Sequence, residues 1–210
     1  MVRLLIALAL LLFFAPFVEE MKGGDLIVSI LLSLVLISAV LAVAGRRSTL
    51  IIALLLAIPA LVGRWINYFR PELVPPAIFL TAGLALIAFV VAHLLRFVLR
   101  APSVNADVLC ASISAYLMLG LLWTLAYWLV DQLNQEAFSF NTTNGTKETM
   151  AGFNAFYFSF ITLSTVGYGD ITPVSKVARM LAATEAMTGL LYVAVLISRL
   201  VSLYSAPKSQ

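Results

Sequence analysis

The chain has 210 residues, of which 62% are hydrophobic and 11% charged, with a mean hydropathy of +1.05 and a formal net charge of +3. A soluble domain carries about 25% charged residues, so this composition excludes a soluble protein and reads as a multi-pass membrane protein. The basic residues stand singly or in pairs between apolar runs, which excludes nucleic acid as a partner, and the one cysteine, Cys110, excludes an intrachain disulfide.

A membrane span needs about 20 mostly apolar residues. Six stretches qualify in chain order: 2–18, 26–44, 49–66, 76–99, 107–130 and 176–204. The first begins like a signal peptide, with Arg3 ahead of an apolar core. Ala15-Pro16-Phe17-Val18 holds no small-x-small cleavage site, so a retained span is expected. The first four spans are expected to form one four-helix domain over 1–100. Steep voltage gating moves about 3–4 charges per subunit. Span four carries only His93 and Arg96, with Arg100 just beyond, and spans two and three hold no mid-membrane acid. A sensor-like domain with weak or no voltage sensing follows.

The segment 96–107, RFVLRAPSVNAD, reads as an interfacial linker helix broken at Pro102, with 101–106 leading into the pore domain. That domain runs from 107 to 204: an outer helix at 107–130, a polar turret at 131–150, a short apolar helix at 151–164, a polar hexapeptide at 165–170 and an inner helix at 176–204. The turret holds two sequons, at Asn141 and Asn144, which read either as glycan acceptors or as part of a flexible polar loop. The run 151–164 is too short to cross, so it enters the membrane and turns back. The tail 205–210 is short, and no appended cytosolic ligand-binding domain is expected.

Basic residues set the orientation. Arg46, Arg47, Arg96, Arg100, Arg199 and Lys208 are placed on the cytoplasmic side of the cell membrane, with both termini. Glu19, Glu20, Asp25, Asp131 and Glu136 then lie outside. Arg64 and Arg70 are exceptions, partly offset by Glu72.

The hexapeptide Thr165-Val166-Gly167-Tyr168-Gly169-Asp170 resembles the selectivity-filter signature of potassium channels, and the preceding AFYFSFITL (155–163) resembles their pore helix. The resemblance covers about 107–204. It is weaker over the first four spans, where only their number and topology match the six-helix members. It implies an all-α membrane protein, a homotetramer set in membrane lipids, with permeant potassium and no cofactor.

Physical chemistry points the same way. Bare backbone at membrane depth is tolerated only where protein buries it or it lines a watery cavity. Backbone carbonyls can replace the water of an ion if they face one axis. Successive carbonyls do so only when ordinary and left-handed conformations alternate, and glycine adopts positive φ without steric cost. Gly167 and Gly169 supply that freedom, so the carbonyls of Thr165, Val166, Gly167 and Tyr168 would line the ion sites. One strand cannot encircle an ion, and four are needed. The carboxyl end of the pore helix, near Leu163 and Ser164, would aim partial negative charge at a central cavity.

The resemblance further implies that Asp170 caps the outer mouth and is tied down by a pore-helix side chain, at the position of Tyr157. Ile161 stands where simple bacterial channels carry a buried glutamate behind the filter, so that carboxyl pair is missing. In the inner helix, Gly189 reads as a hinge or as a close-packing site. Val193 and Ile197 lie one turn apart and would line the cavity as an apolar constriction. Glu185, at membrane depth, is expected to bond pore-helix hydroxyls such as Thr162, and Arg199 to snorkel.

The reading is a potassium-selective channel. The alternatives are a non-selective cation channel or a non-conducting regulatory subunit of the same architecture, and Tyr168 favours the first. No nucleophile, base or metal constellation suggests an enzyme.

Overall fold

Apolar runs interrupted by proline and polar residues set the helices. The computed structural model describes residues 1–19, 23–45, 47–70, 72–73, 75–141 and 148–205. Arg46, Glu20, Asn144 and Lys208 lie outside the described residues. The elements in order are α1 (Val2–Glu19), α2 (Gly24–Val43), α3 (Arg47–Phe69), α4 (Pro76–Arg100), α5 (Ala106–Leu133), β1 (Phe138–Phe140), α6 (Phe153–Leu163), β2 (Ile171–Pro173) and α7 (Lys176–Ser205). Five helices, α2 to α5 and α7, are long and apolar enough to cross a membrane, and Val2–Val18 is a shorter apolar helix.

Helices α1 to α4 pack side by side, and α4 and α1 both lie against α5 of the same chain. The shared core is built from Leu4 and Leu8 of α1, Val35 and Ala39 of α2, Ala53 and Ala57 of α3, Leu86, Val90 and Leu94 of α4, and Ala111, Ala115 and Met118 of α5. Small residues dominate the buried face of α3, where Ala53, Ala57, Ala60 and Gly63 recur at helical spacing. Without water to drive burial, membrane helices associate through such close contacts.

Between α4 and α5 the chain differs from the expected linker helix. Arg96 and Arg100 belong to α4, and Ala101–Asn105 is a short non-helical connection. Pro102 has no N–H and forces its predecessor out of the helical region. Ala101 is accordingly extended, at φ −62° and ψ 129°. Asn105 then caps α5, its Oδ1 accepting from the Val108 N–H at 2.9 Å. The reversal is tight, so α4 and α5 run antiparallel as direct neighbours.

The turret also differs. Helix α5 continues to Leu133 rather than ending at 130, and Asp131 is buried at its end, accepting from the Met150 N–H at 3.2 Å. Phe138–Phe140 pairs antiparallel with Ile171–Pro173, with Phe138 opposite Pro173, Ser139 opposite Thr172 and Phe140 opposite Ile171. Ala137 O extends the ladder by accepting from the N–H groups of Val174 and Ser175 at 2.8 and 3.2 Å. A second core lies below this ladder: Tyr127, Phe138, Phe158 and Ile171 with Met150, Ala155 and Ala178. The rings of Tyr127, Phe138 and Phe158 meet edge to face at centroid separations of 4.9 to 5.7 Å.

Candidate ion pathway

Helix α6 stands between α5 and α7 and delivers the hexapeptide at its carboxyl end. A helix leaves its last carbonyls without partners. Here they take the N–H groups of the following strand. Thr165 N donates to Thr162 O at 2.9 Å, and Val166 N and Gly167 N both donate to Ile161 O at 2.9 and 3.2 Å. The carbonyls of Ile161 and Thr162 therefore serve the strand's own N–H groups. Ile161 contributes through its backbone at the position where the family's glutamate is missing.

The strand alternates in conformation. Thr165, Gly167 and Gly169 have φ of 59°, 53° and 80°, with Val166 and Tyr168 between them on the ordinary side. Glycine holds this region freely, whereas Thr165 does so at a cost of about 1–2 kcal/mol. Three N–H bonds to α6, each worth about 0.5–1.5 kcal/mol net, offset that cost. Two of the three left-handed positions were legible as glycines. The third was legible only through the period of two that they define.

Among the described residues, no hydrogen bond ends on the carbonyls of Thr165, Val166, Gly167 or Tyr168. The next two carbonyls are claimed: Asn141 Nδ2 donates to Gly169 O at 3.1 Å, and Asn141 N donates to Asp170 O at 2.8 Å. Four successive carbonyls with no protein donor are what replacement of an ion's water shell requires. The side chains of Val166 and Tyr168 are 53% and 72% exposed in the single chain, so other protein must cover them in any closed collar.

The outer mouth is braced from α6. Tyr157 Oη donates to Asp170 Oδ2 at 2.7 Å, the contact that the family resemblance implies, while Asp170 Oδ1 accepts from the Ile171 N–H at 3.0 Å. The bond to Asp170 is the main reason the Tyr157 phenol is pushed up to about 12, so it remains a donor throughout the neutral range.

Behind the strand, Glu185 of α7 is fully buried. It accepts from Tyr127 Oη of α5 and from Ser159 Oγ of α6, the latter at 2.6 Å. Ser159 Oγ also reaches Gly120 O at 2.8 Å. One carboxylate thus joins all three pore helices. Its α6 partner is Ser159, one turn earlier than the expected Thr162, because this face of α6 turns toward α5 and α7.

Gly189 is buried against α6: a Cβ there would stand 2.0 Å from Leu163 O. Close packing accounts for this glycine. Val193 and Ile197 lie on an adjoining strip of α7 and are 42% and 56% exposed in the single chain. Farther down, Tyr192 Oη donates to Ser112 O at 2.5 Å. The Arg199 guanidinium donates to Ala101 O at 3.0 Å, joining α7 to the α4–α5 connection. Asn141 and Tyr127 are the residues that sequence reasoning did not assign a role here, and the left-handed backbone of Thr165 is the feature of an expected site residue that it did not foresee.

A family model described as "Ion channel" matches residues 115–206. The chain is 44% identical over 55 residues to Two-pore potassium channel 4 of Arabidopsis thaliana, covering 26% of this chain and 19% of that one. It is 44% identical over 59 residues to Voltage-gated potassium channel Kch of Escherichia coli (strain K12), covering 24% and 14%. It is 30% identical over 98 residues to Protein LctB of Bacillus caldotenax, covering 46% of this chain and 72% of that protein. The chain belongs to the potassium channel family. Membership and the apolar helices together mark a transmembrane protein of an ion-transport family. The chain spans about a fifth of the length of the plant potassium channels it matches. No solved structure matches it.

Proposed function

We propose that four copies of this chain surround one pathway and conduct potassium passively and selectively. The observation that carries the proposal is the row of four unclaimed carbonyls at Thr165–Tyr168, set by alternating left-handed residues. Potassium must shed water to enter, and four such rows supply oxygens in its place. A single chain leaves Val166 and Tyr168 exposed beside those carbonyls, and a neighbouring copy would cover them. In this reading six spans cross the cell membrane, the first being Val2–Val18, and both termini are cytoplasmic. Gly169, Asp170 and Tyr157 support the filter. Gly189 seats the inner helix and gives it a place to bend, and Val193 and Ile197 line the inner cavity as an apolar gate.

Voltage dependence is weak in this reading. The charges of α4 are confined to its cytoplasmic turns. His93 is tied to its own helix, with Nδ1 3.3 Å from Phe89 O, and Arg96 is exposed. Moving one charge through 100 mV yields about 2.3 kcal/mol, and nothing in α4 offers several such charges.

The test is ion flux from vesicles carrying the purified protein. Potassium efflux is expected with little sodium efflux, little change in rate across imposed membrane potentials, and loss of both on Gly167→Asp. Asp at this left-handed position adds strain and places a carboxylate on the axis. Equal sodium and potassium efflux would support a non-selective filter, and no efflux would support a silent subunit.

A further inference from the structure

The row of unclaimed carbonyls ends abruptly after Tyr168, and one residue ends it. Asn141 follows β1, one step past the Phe140–Ile171 pair, which places it beside Gly169 and Asp170. Its backbone N–H takes Asp170 O at 2.8 Å and its side-chain amide takes Gly169 O at 3.1 Å. Both donors come from the turret, 28 residues away in sequence from Gly169. The β1–β2 ladder gives Asn141 a fixed base, because Ala137 O grips the far end through Val174 and Ser175.

We propose that Asn141 is a positioning residue that fixes the outer end of the filter. By occupying Gly169 O it stops the carbonyl row at Tyr168. It also locks a peptide that glycine would otherwise leave free to turn. The inference rests on the potassium-channel reading above. Tyr157 braces the Asp170 carboxylate, which is a different group, so it does not substitute for this contact. Asn141 is also the first residue of a sequon, and a glycan there would take one of the two N–H groups of the amide now held by the filter.

With the amide removed, the outer peptide rotates out of its ion-facing form more often. Potassium binds only the ion-facing form, so mass action restores that form as external potassium rises. The released contact is one hydrogen bond, and its loss changes such an equilibrium by about threefold to tenfold.

The experiment uses the full chain in planar bilayers and reads the external potassium concentration that sustains half of the maximal current. Asn141→Ala and Asn141→Asp are both expected to raise it about threefold to tenfold. Asp keeps the shape but cannot donate. Ser139→Ala, on the same strand with an exposed side chain, is expected to leave it unchanged. If a variant carries no current, the potassium concentration that protects the purified protein from thermal unfolding is read instead, with the same shift expected. Values equal to wild type in both variants, beside a selective wild-type channel, would overturn the proposal. A wild-type channel that fails to discriminate potassium from sodium would instead overturn the reading beneath it.

Discussion

Gly189→Ala is expected to destabilise the protein and to abolish potassium flux. In an ordinary helix interior the change would gain about 1 kcal/mol from propensity alone. Here the added Cβ would lie 2.0 Å from Leu163 O and 3.0 Å from Leu163 C, both backbone atoms. A backbone carbonyl cannot swing aside as a side-chain tip can, so α7 or α6 must move. Overpacking of this kind costs about 1–3 kcal/mol per copy, which outweighs the propensity gain. The displacement falls two residues before Thr165, the first left-handed residue of the filter. Thermal unfolding of the purified protein, together with vesicle flux, measures both effects. A more stable variant with wild-type flux would show that α7 does not seat on the pore helix through this glycine.

Glu185→Ala carries the second large effect. The carboxylate is the meeting point of Tyr127 from α5 and Ser159 from α6. Its removal leaves the fully buried Tyr127 hydroxyl without this acceptor, at about 1–3 kcal/mol, and opens a cavity besides. Ser159 is less affected because it also reaches Gly120 O. Glu185→Gln retains one carbonyl oxygen and is expected to lose less. Adding Tyr127→Phe to Glu185→Ala is expected to cost little more, because the orphaned hydroxyl disappears with its partner. Unfolding midpoints of the wild type, Glu185→Ala, Tyr127→Phe and the double variant close that cycle. Strictly additive losses would mean that the two groups do not depend on each other.

The sequence was most readable where chemistry is local. The hexapeptide Thr165–Asp170 carries its conformational requirement largely in its own glycines, and the apolar runs announce most of the helices by length alone. Thr165 is legible as part of the hexapeptide but its positive φ is not, because threonine does not advertise that conformation; only the spacing of Gly167 and Gly169 does. The turret strand was hidden for a different reason. Phe138–Phe140 and Ile171–Pro173 are three residues each, too short to show alternation, and they meet across the whole pore helix. Asn141 therefore reads in sequence as a polar loop residue with a sequon, although its two donors reach Gly169 O and Asp170 O. The bond of Glu185 to a hydroxyl of α6 is legible in the sequence, and Ser159 rather than Thr162 makes it because the rotation of α6 about its axis depends on its packing against α5 and α7. The break of the α4–α5 connection at Pro102 is legible in the sequence, whereas the Asn105 cap and the continuity of Arg96–Arg100 with α4 are not.

The central claim is that the carbonyls of Thr165 to Tyr168 replace the water of potassium better than that of sodium. The most direct test is the reversal potential of the purified full chain in a planar bilayer, with potassium on one side and sodium on the other. A reversal close to the potassium equilibrium potential is the predicted result. A reversal near zero would contradict it.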